Sequence, residues 1–207
     1  MDPHAHWNAV YTRQRPGSSS WFQPSPDVSL QLLERAGMTA ASCVIDIGGG
    51  DSELVDRLLD RGLTCVYVLD ISHVALERAR ARLGARHRTV AWIEADVTSD
   101  WDVPTVEIWH DRALFHFLTD AEARRRYIDR LRRAVRAGGA VVIASFALDG
   151  PTRCSGLPVL RYSSETLAAE LGAGFAKVES VREEHVTPSG ARQTFSYTRF
   201  TRDRTDR

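Results

Sequence analysis

Charge imbalance is the first thing missing from this chain. Lys and Arg number 27, Asp and Glu number 27, and the net charge is zero. Nucleic-acid binders and polybasic membrane binders need a positive excess, so neither is expected as a partner class. No apolar run approaches the roughly 20 residues of a membrane span. The start, Met1-Asp2-Pro3-His4-Ala5-His6, has neither a cationic stretch nor the apolar core of a secretory leader, and we expect none. Cysteine is scarce. Cys43, Cys65 and Cys154 have no metal-ligand spacing, so no metal site is expected, and their sparsity and odd number suit a reducing cytoplasm. Cys43 and Cys65 each begin an apolar strand, where packing is the expected role. Internal repeats and a linker are also missing. The 207 residues therefore read as a single domain, with an arm over 1–26, a core over 27–201 and a frayed polar tail over 202–207.

What is present is an alternation of strands and helices. The arm is rich in Pro, Gly and Ser and reads as irregular, yet it carries Trp7, Tyr11, Trp21 and Phe22. A disordered tail is poor in aromatics, so the arm is expected to be ordered, as a cap on the core or as a lid over a ligand. Asp27 is placed to cap a helix that Gly37 stops. Strands are expected at 43–47, 65–69, 89–93, 106–109 and 140–146, with helices after the first two of them, another over about 120–136, and a short one at 164–171. Gly138-Gly139 reads as a turn. Two last strands, about 175–186 and 192–201, flank the hairpin signal Thr187-Pro188-Ser189-Gly190. This pattern predicts a three-layer α/β fold, Rossmann-like, with a mainly parallel sheet and a C-terminal antiparallel hairpin. The arginines of 124–136 form the only basic cluster, read as a solvated helix face.

The chain is organised around Val44-Ile45-Asp46-Ile47-Gly48-Gly49-Gly50-Asp51-Ser52, a buried strand running through a glycine turn into a helix. Such a turn lets a ligand approach the backbone without Cβ atoms in the way. Ligands of open α/β sheets bind outside the carboxyl ends of the strands. Three acids stand there: Asp46 near the end of the first strand, Asp70 at the end of the second, Asp96 just after the third. Each alone is an ordinary helix cap; the three together beside a glycine turn point to a nucleotide. The third glycine of a dinucleotide fingerprint is missing, because Glu53 stands in its place and opposes a pyrophosphate. No Gly-Lys-Ser/Thr follows either, which removes a P-loop. A nucleoside without a pyrophosphate remains.

Asp46-Ile47-Gly48-Gly49-Gly50 resembles motif I of the class I S-adenosylmethionine-dependent methyltransferases. Asp70-Ile71-Ser72 is similar to that family's ribose-binding strand end, and Glu94-Ala95-Asp96-Val97 to its adenine-contacting turn. The resemblance implies a seven-stranded sheet over about 28–201 and S-adenosylmethionine as cofactor. It implies Gly48 and Gly50 under the methionine portion, Asp70 on the ribose hydroxyls, Ile71 on the adenine face, and Asp96 and Val97 at the adenine edge. Asp46, His110 and Trp21 complete the expected cofactor-binding set.

The acceptor is expected above the fourth and fifth strands, where Trp109-His110-Asp111-Arg112-Ala113-Leu114-Phe115-His116-Phe117 concentrates polar groups. Asp111 and Arg112 read as an ion pair or as acceptor contacts. His110 and His116 read as core histidines or as bases, with His116 the preferred base and Asp111, Arg112 and His116 the catalytic candidates. The stretch resembles the thiopurine S-methyltransferase branch, in its aspartate–arginine pair followed by Ala-Leu, its Gly/Pro-rich loop at 150–158 and its aromatic arm. There the arginine matching Arg112 lies near the acceptor. Cys154-Ser155-Gly156-Leu157 and His110 depart from that pattern, and similar arms occur in protein-lysine methyltransferases. The leading expectation is a cytoplasmic methyltransferase, monomeric or weakly dimeric, acting on a small molecule such as a thiol or another soft nucleophile. The alternatives are N- or O-methylation of a small metabolite or a protein lysine, a non-catalytic S-adenosylmethionine-binding regulator, and, more remotely, a nicotinamide-linked oxidoreductase. Cys154 fills the loop or lines the acceptor pocket.

Overall fold

The computed structural model describes residues 2–204. The chain begins with helix α1 (Pro3–Arg13), then α2 (Asp27–Arg35), β1 (Cys43–Ile47), α3 (Leu54–Asp60), β2 (Cys65–Asp70), α4 (His73–Leu83) and β3 (Val90–Glu94). It continues through β4 (Val106–Arg112), α5 (Ala121–Ala134), β5 (Val135–Phe146), the two-residue strands β6 (Arg153–Cys154) and β7 (Leu157–Pro158), α6 (Ser164–Leu171), β8 (Phe175–Val186) and β9 (Arg192–Arg202). Seven strands form one sheet in the order β3-β2-β1-β4-β5-β9-β8. The first five are parallel, and β9 and β8 run antiparallel. The order reverses at β1, so β1 and β4 diverge at the glycine turn, the crevice where such sheets bind ligands.

Both faces of the sheet are covered. One core layer packs α2, α3 and α4 against Val44, Val66, Val68 and Ile108. The other packs α5 and α6 against Ile45, Ile47, Trp109, Val141 and Ile143. Successive strand residues serve opposite layers, as the period of two requires.

Several elements depart from the sequence reading. The arm is not irregular throughout: α1 starts at Pro3, with Asp2 as N-cap accepting from the His4 amide. Proline at a first helical position has no N–H to lose, so it starts this helix rather than breaking it. Asp27 is the first residue of α2 and makes no side-chain cap. Gly138-Gly139 lies inside β5, which reaches back to Val135 past a register shift against β4. Strand β4 continues through His110, Asp111 and Arg112, which makes these strand residues rather than loop residues. Cys43 and Cys65 stand opposite each other in the β1–β2 register and are joined by a disulfide, so they do more than pack. The cysteine argument for a reducing compartment falls with that pairing. Arg202 closes β9 and the Asp203 amide donates to the Gly174 carbonyl at 2.9 Å, while residues 205–207 of the expected frayed tail lie outside the described residues, as does Met1.

The arginine-rich face of α5 pairs locally: Arg125 and Arg126 with Glu122, Arg130 with Asp100, Arg124 with Glu170. Among the described residues no helix is long and apolar enough to cross a membrane.

Candidate active site

A cavity of about 330 Å³ opens at the carboxyl ends of β1, β2 and β4. Its floor and one side are Gly48, Asp70, Ile71, Ala95, Asp96, Val97 and Thr98. Its roof is Trp7 and Tyr11 from α1, with Trp21 and Phe117. Its far end holds Arg112, Leu114, Cys154 and Leu157. Of the cofactor residues expected from sequence, the structure brings Trp21, Gly48, Asp70, Ile71, Asp96 and Val97 to this one cavity.

The glycine turn is built for close approach. Gly48 and Gly50 have φ of 66° and 52°, the left-handed region that side chains disfavour. A Cβ on Gly48 would stand 2.6 Å from Leu114 Cδ1. One on Gly50 would overlap the Tyr11 hydroxyl, so the lid residue rests directly on the turn.

Asp70 is buried and accepts from the Ser72 amide at 2.7 Å. Burial pushes its carboxyl up to about 7, and the backbone hydrogen bonds from Ser72 and Gly50 pull the other way without prevailing. Asp96 closes a local turn by accepting from the Thr98 amide at 2.8 Å and the Thr98 hydroxyl at 2.7 Å. That turn presents Val97 to the cavity.

Helix α1 is fastened over the site by two clamps on α4. Asn8 Oδ1 accepts from the Ser72 hydroxyl at 2.9 Å and from the Val74 amide at 3.3 Å. The Arg78 guanidinium donates to the main-chain oxygens of Tyr11 and Gln14. Trp7 meets Phe117 edge-on at 4.9 Å and Trp21 at 6.0 Å, and Tyr11 meets Trp21 at 6.0 Å. Such ring faces favour a cation, which a sulfonium is.

Arg112 ends β4. Its Nε donates to the Tyr197 hydroxyl at 2.8 Å and its Nη1 to the Trp21 carbonyl at 2.7 Å. The guanidinium stacks 4.4 Å over the Phe195 ring. Tyr197 in turn donates to Glu183, which also accepts from Gln23. The expected Asp111–Arg112 pair does not form. Arg112 faces Glu183 at 3.9 Å instead, and its Nη2 is buried without a hydrogen-bond partner among the described residues.

Asp111 points to the other side of the sheet, as adjacent strand residues must. It accepts from the Leu114 and Phe115 amides and from the Tyr127 hydroxyl, and burial pushes its carboxyl up to about 6. Its visible role is to hold the turn that sets Leu114 against Gly48. Ala113, in that turn, has a φ of 68°. His116 is fully buried between Phe117 and Phe146 and lies outside the cavity wall. Its Nδ1 accepts from the Phe146 amide at 3.3 Å, and burial, helped by nearby Arg112, holds its pKa down at about 3. It is a neutral core histidine. His110 is tied to Asp46 and Ser29 behind the turn and, like Asp46, does not line the main cavity.

Tyr11, Leu114, Phe117 and Leu157 are cavity residues that the site prediction omitted. The Pro3 helix start would have placed Trp7 and Tyr11 on one face, four residues apart.

Residues 44–139 match the model of a family described as methyltransferase domain. An uncharacterised methyltransferase of Mycobacterium tuberculosis is 27% identical over 158 residues, 76% of this chain and 73% of that protein. The family match, just under half of the chain, and this methyltransferase relative together support an S-adenosylmethionine-dependent methyltransferase. Among solved structures, the fold here is similar to that of the Burkholderia thailandensis 1,6-didemethyltoxoflavin-N1-methyltransferase, determined with bound 1,6-didemethyltoxoflavin and S-adenosylhomocysteine. The TM-score is 0.77 at 20% identity, covering 98% of this chain and 91% of that one. A protein solved for the conversion of a disulfide bond into a thioacetal group during echinomycin biosynthesis has a TM-score of 0.77 at 23% identity, covering 98% and 94%. S-adenosylmethionine is the methyltransferase's cofactor, and the left-handed glycines, the buried Asp70 and the Asp96 turn suit an adenosyl group bearing no phosphate.

Proposed function

We propose that this methyltransferase transfers the S-adenosylmethionine methyl group to a small molecule, with a thiol or another soft nucleophile as the acceptor. In this reading Asp70 takes the ribose hydroxyls, Ile71 and Val97 pack on the adenine, Asp96 accepts from the adenine amine, and Gly48 and Gly50 underlie the methionine portion. The acceptor then enters at the far end, between Arg112, Cys154 and Leu157. A sulfonium carries its own leaving group, so the protein's main task is in-line alignment of donor and acceptor.

The observation that carries the acceptor reading is the buried Arg112 guanidinium beside the cavity's far end, whose Nη2 makes no hydrogen bond among the described residues and meets the Glu183 carboxylate only at 3.9 Å. A cation there favours a thiolate, the reactive form of a thiol. The wall offers little base strength. His116 is buried away from it, and Asp70, Asp96 and Asp120 are engaged by Ser72, Thr98 and Ala123. A thiol ionises near pH 8.5 unaided and tolerates that lack; an alcohol does not. The sulfur chemistry named for the echinomycin protein and the resemblance to the thiopurine branch point the same way. N-methylation of a small heterocycle is the second reading, favoured by the toxoflavin-pathway likeness.

Incubation with methyl-labelled S-adenosylmethionine and a panel of thiols, amines, phenols and carboxylates tests this. Thiols are expected to be methylated, and Arg112→Met to slow that transfer by at least about tenfold, the scale of a lost charged hydrogen bond. Turnover of amines with none on thiols would move the enzyme to the second reading.

A further inference from the structure

Behind the glycine turn runs a buried line of three side chains that do not line the main cavity. Asp46 in β1 and His110 in β4 stand opposite each other in the parallel register. Asp46 Oδ1 meets His110 Nδ1 at 2.7 Å, and His110 Nε2 meets the Ser29 hydroxyl of α2 at 2.9 Å. None of the three is more than 3% exposed. A carboxylate only accepts, so Nδ1 carries a proton and the imidazole orientation is set from both ends.

The other carboxylate oxygen faces the turn. A Cβ on Gly49 would lie 2.7 Å from Asp46 Oδ2, so this oxygen packs directly beneath the Gly49 main chain. The Gly49 amide is held on its far side by the Leu69 carbonyl at 3.1 Å. The turn is thus pinned between β2 and the Asp46 carboxylate. The order of residues is that of a hydrolytic triad, but the adjoining cavity is about 40 Å³ and Ser29 is fully buried, which leaves room for a water and none for an ester. A buried polar line of this kind costs desolvation that apolar side chains would avoid, unless it fixes a geometry.

We propose that Ser29, His110 and Asp46 are positioning residues for cofactor binding. Through His110, α2 and β4 hold the Asp46 carboxylate under Gly49 and so set the height of the Gly48–Gly50 turn against Asp70. The inference rests on the reading that this turn carries the cofactor; it is independent of the acceptor.

Titration calorimetry of the full chain with S-adenosylmethionine and S-adenosylhomocysteine tests it, on wild type, Ser29→Ala, His110→Asn, His110→Leu and Asp70→Ala. Ser29→Ala removes one hydroxyl and leaves the fold's packing, and is expected to weaken both ligands about fivefold. His110→Leu is expected to weaken them more than tenfold. His110→Asn keeps an N–H directed at Asp46 and should recover most of that loss. In nitrogen-15 spectra of the imidazoles, the His110 signals should shift on Ser29→Ala. Affinity within twofold of wild type in Ser29→Ala and His110→Leu, or a lowered melting midpoint with unchanged affinity, overturns the proposal. Binding that survives Asp70→Ala overturns the cofactor placement, and the relay's role with it. Loss in Asp70→Ala alone overturns only the relay.

Discussion

The hydroxyl of Tyr11 occupies the space that a Cβ of Gly50 would need. The lid helix and the glycine turn are therefore in direct contact, and the roof of the site cannot be described apart from its floor. Gly50→Ala would put a side chain at a φ of 52° and push Tyr11 away. The left-handed backbone alone costs about 1–2 kcal/mol. We expect a stability loss of that size in urea unfolding, and cofactor binding weakened at least about tenfold because the roof no longer seats.

Asp70 gives the site a pH dependence. Its carboxyl is held at about 7 in the folded protein against 3.8 for a free aspartate, because it is buried. Between those values the folded chain binds a proton that the unfolded chain does not. The stabilising contribution is full below about 4 and is lost as pH rises through about 7. Hydroxyl donors to the carboxylate favour its ionised form. Cofactor affinity should therefore rise between pH 6 and 8, with proton uptake by buffer visible in calorimetry. Asp70→Asn should flatten the profile and weaken binding; a slope that persists in Asp70→Asn would assign the titration elsewhere.

Arg78 holds α1 through two main-chain oxygens, those of Tyr11 and Gln14. Arg78→Met keeps the aliphatic stem and removes both of these hydrogen bonds. Hydrogen bonds to a charged group contribute about 1.5–3 kcal/mol. Amide exchange over 3–13 is expected to accelerate, with a matching rise in the cofactor dissociation rate. Unchanged exchange would show that the Asn8–Ser72 contact suffices.

The Cys43–Cys65 disulfide closes a loop of 22 residues around α3. Thiol titration of the unfolded, unreduced chain should find one free thiol, Cys154. Cys65→Ser should cost about 3 kcal/mol of stability, the loop-closure scale for this length. Three titrating thiols would place the cysteines back in a packing role.

Much of this architecture was legible because strand and helix periods differ and glycine punctuates them. The strand ends carrying Asp46, Asp70 and Asp96 needed only that pattern. The acceptor side was harder. His110, Asp111, Arg112 and His116 are close in sequence, but β4 alternates faces, sending Asp111 to Tyr127 and Arg112 to Tyr197. The sequence reading ended that strand at 109, so the alternation went unused and His116 was read as a base. Arg112's partners, Trp21, Glu183 and Tyr197, are 91, 71 and 85 positions away, and no local pattern reports such a contact. The arm was read by composition, in which Pro3 counted as a breaker; by position it is a helix start.

The same long reach has a consequence for how the enzyme is made. Arg112 is fixed by Trp21 near one end of the chain and by Tyr197 near the other. The floor of the cavity draws on residues up to Thr98, but the setting of Arg112 at its far end must wait for β9. The far end of the cavity is therefore the last part of the site to be completed as the chain is made.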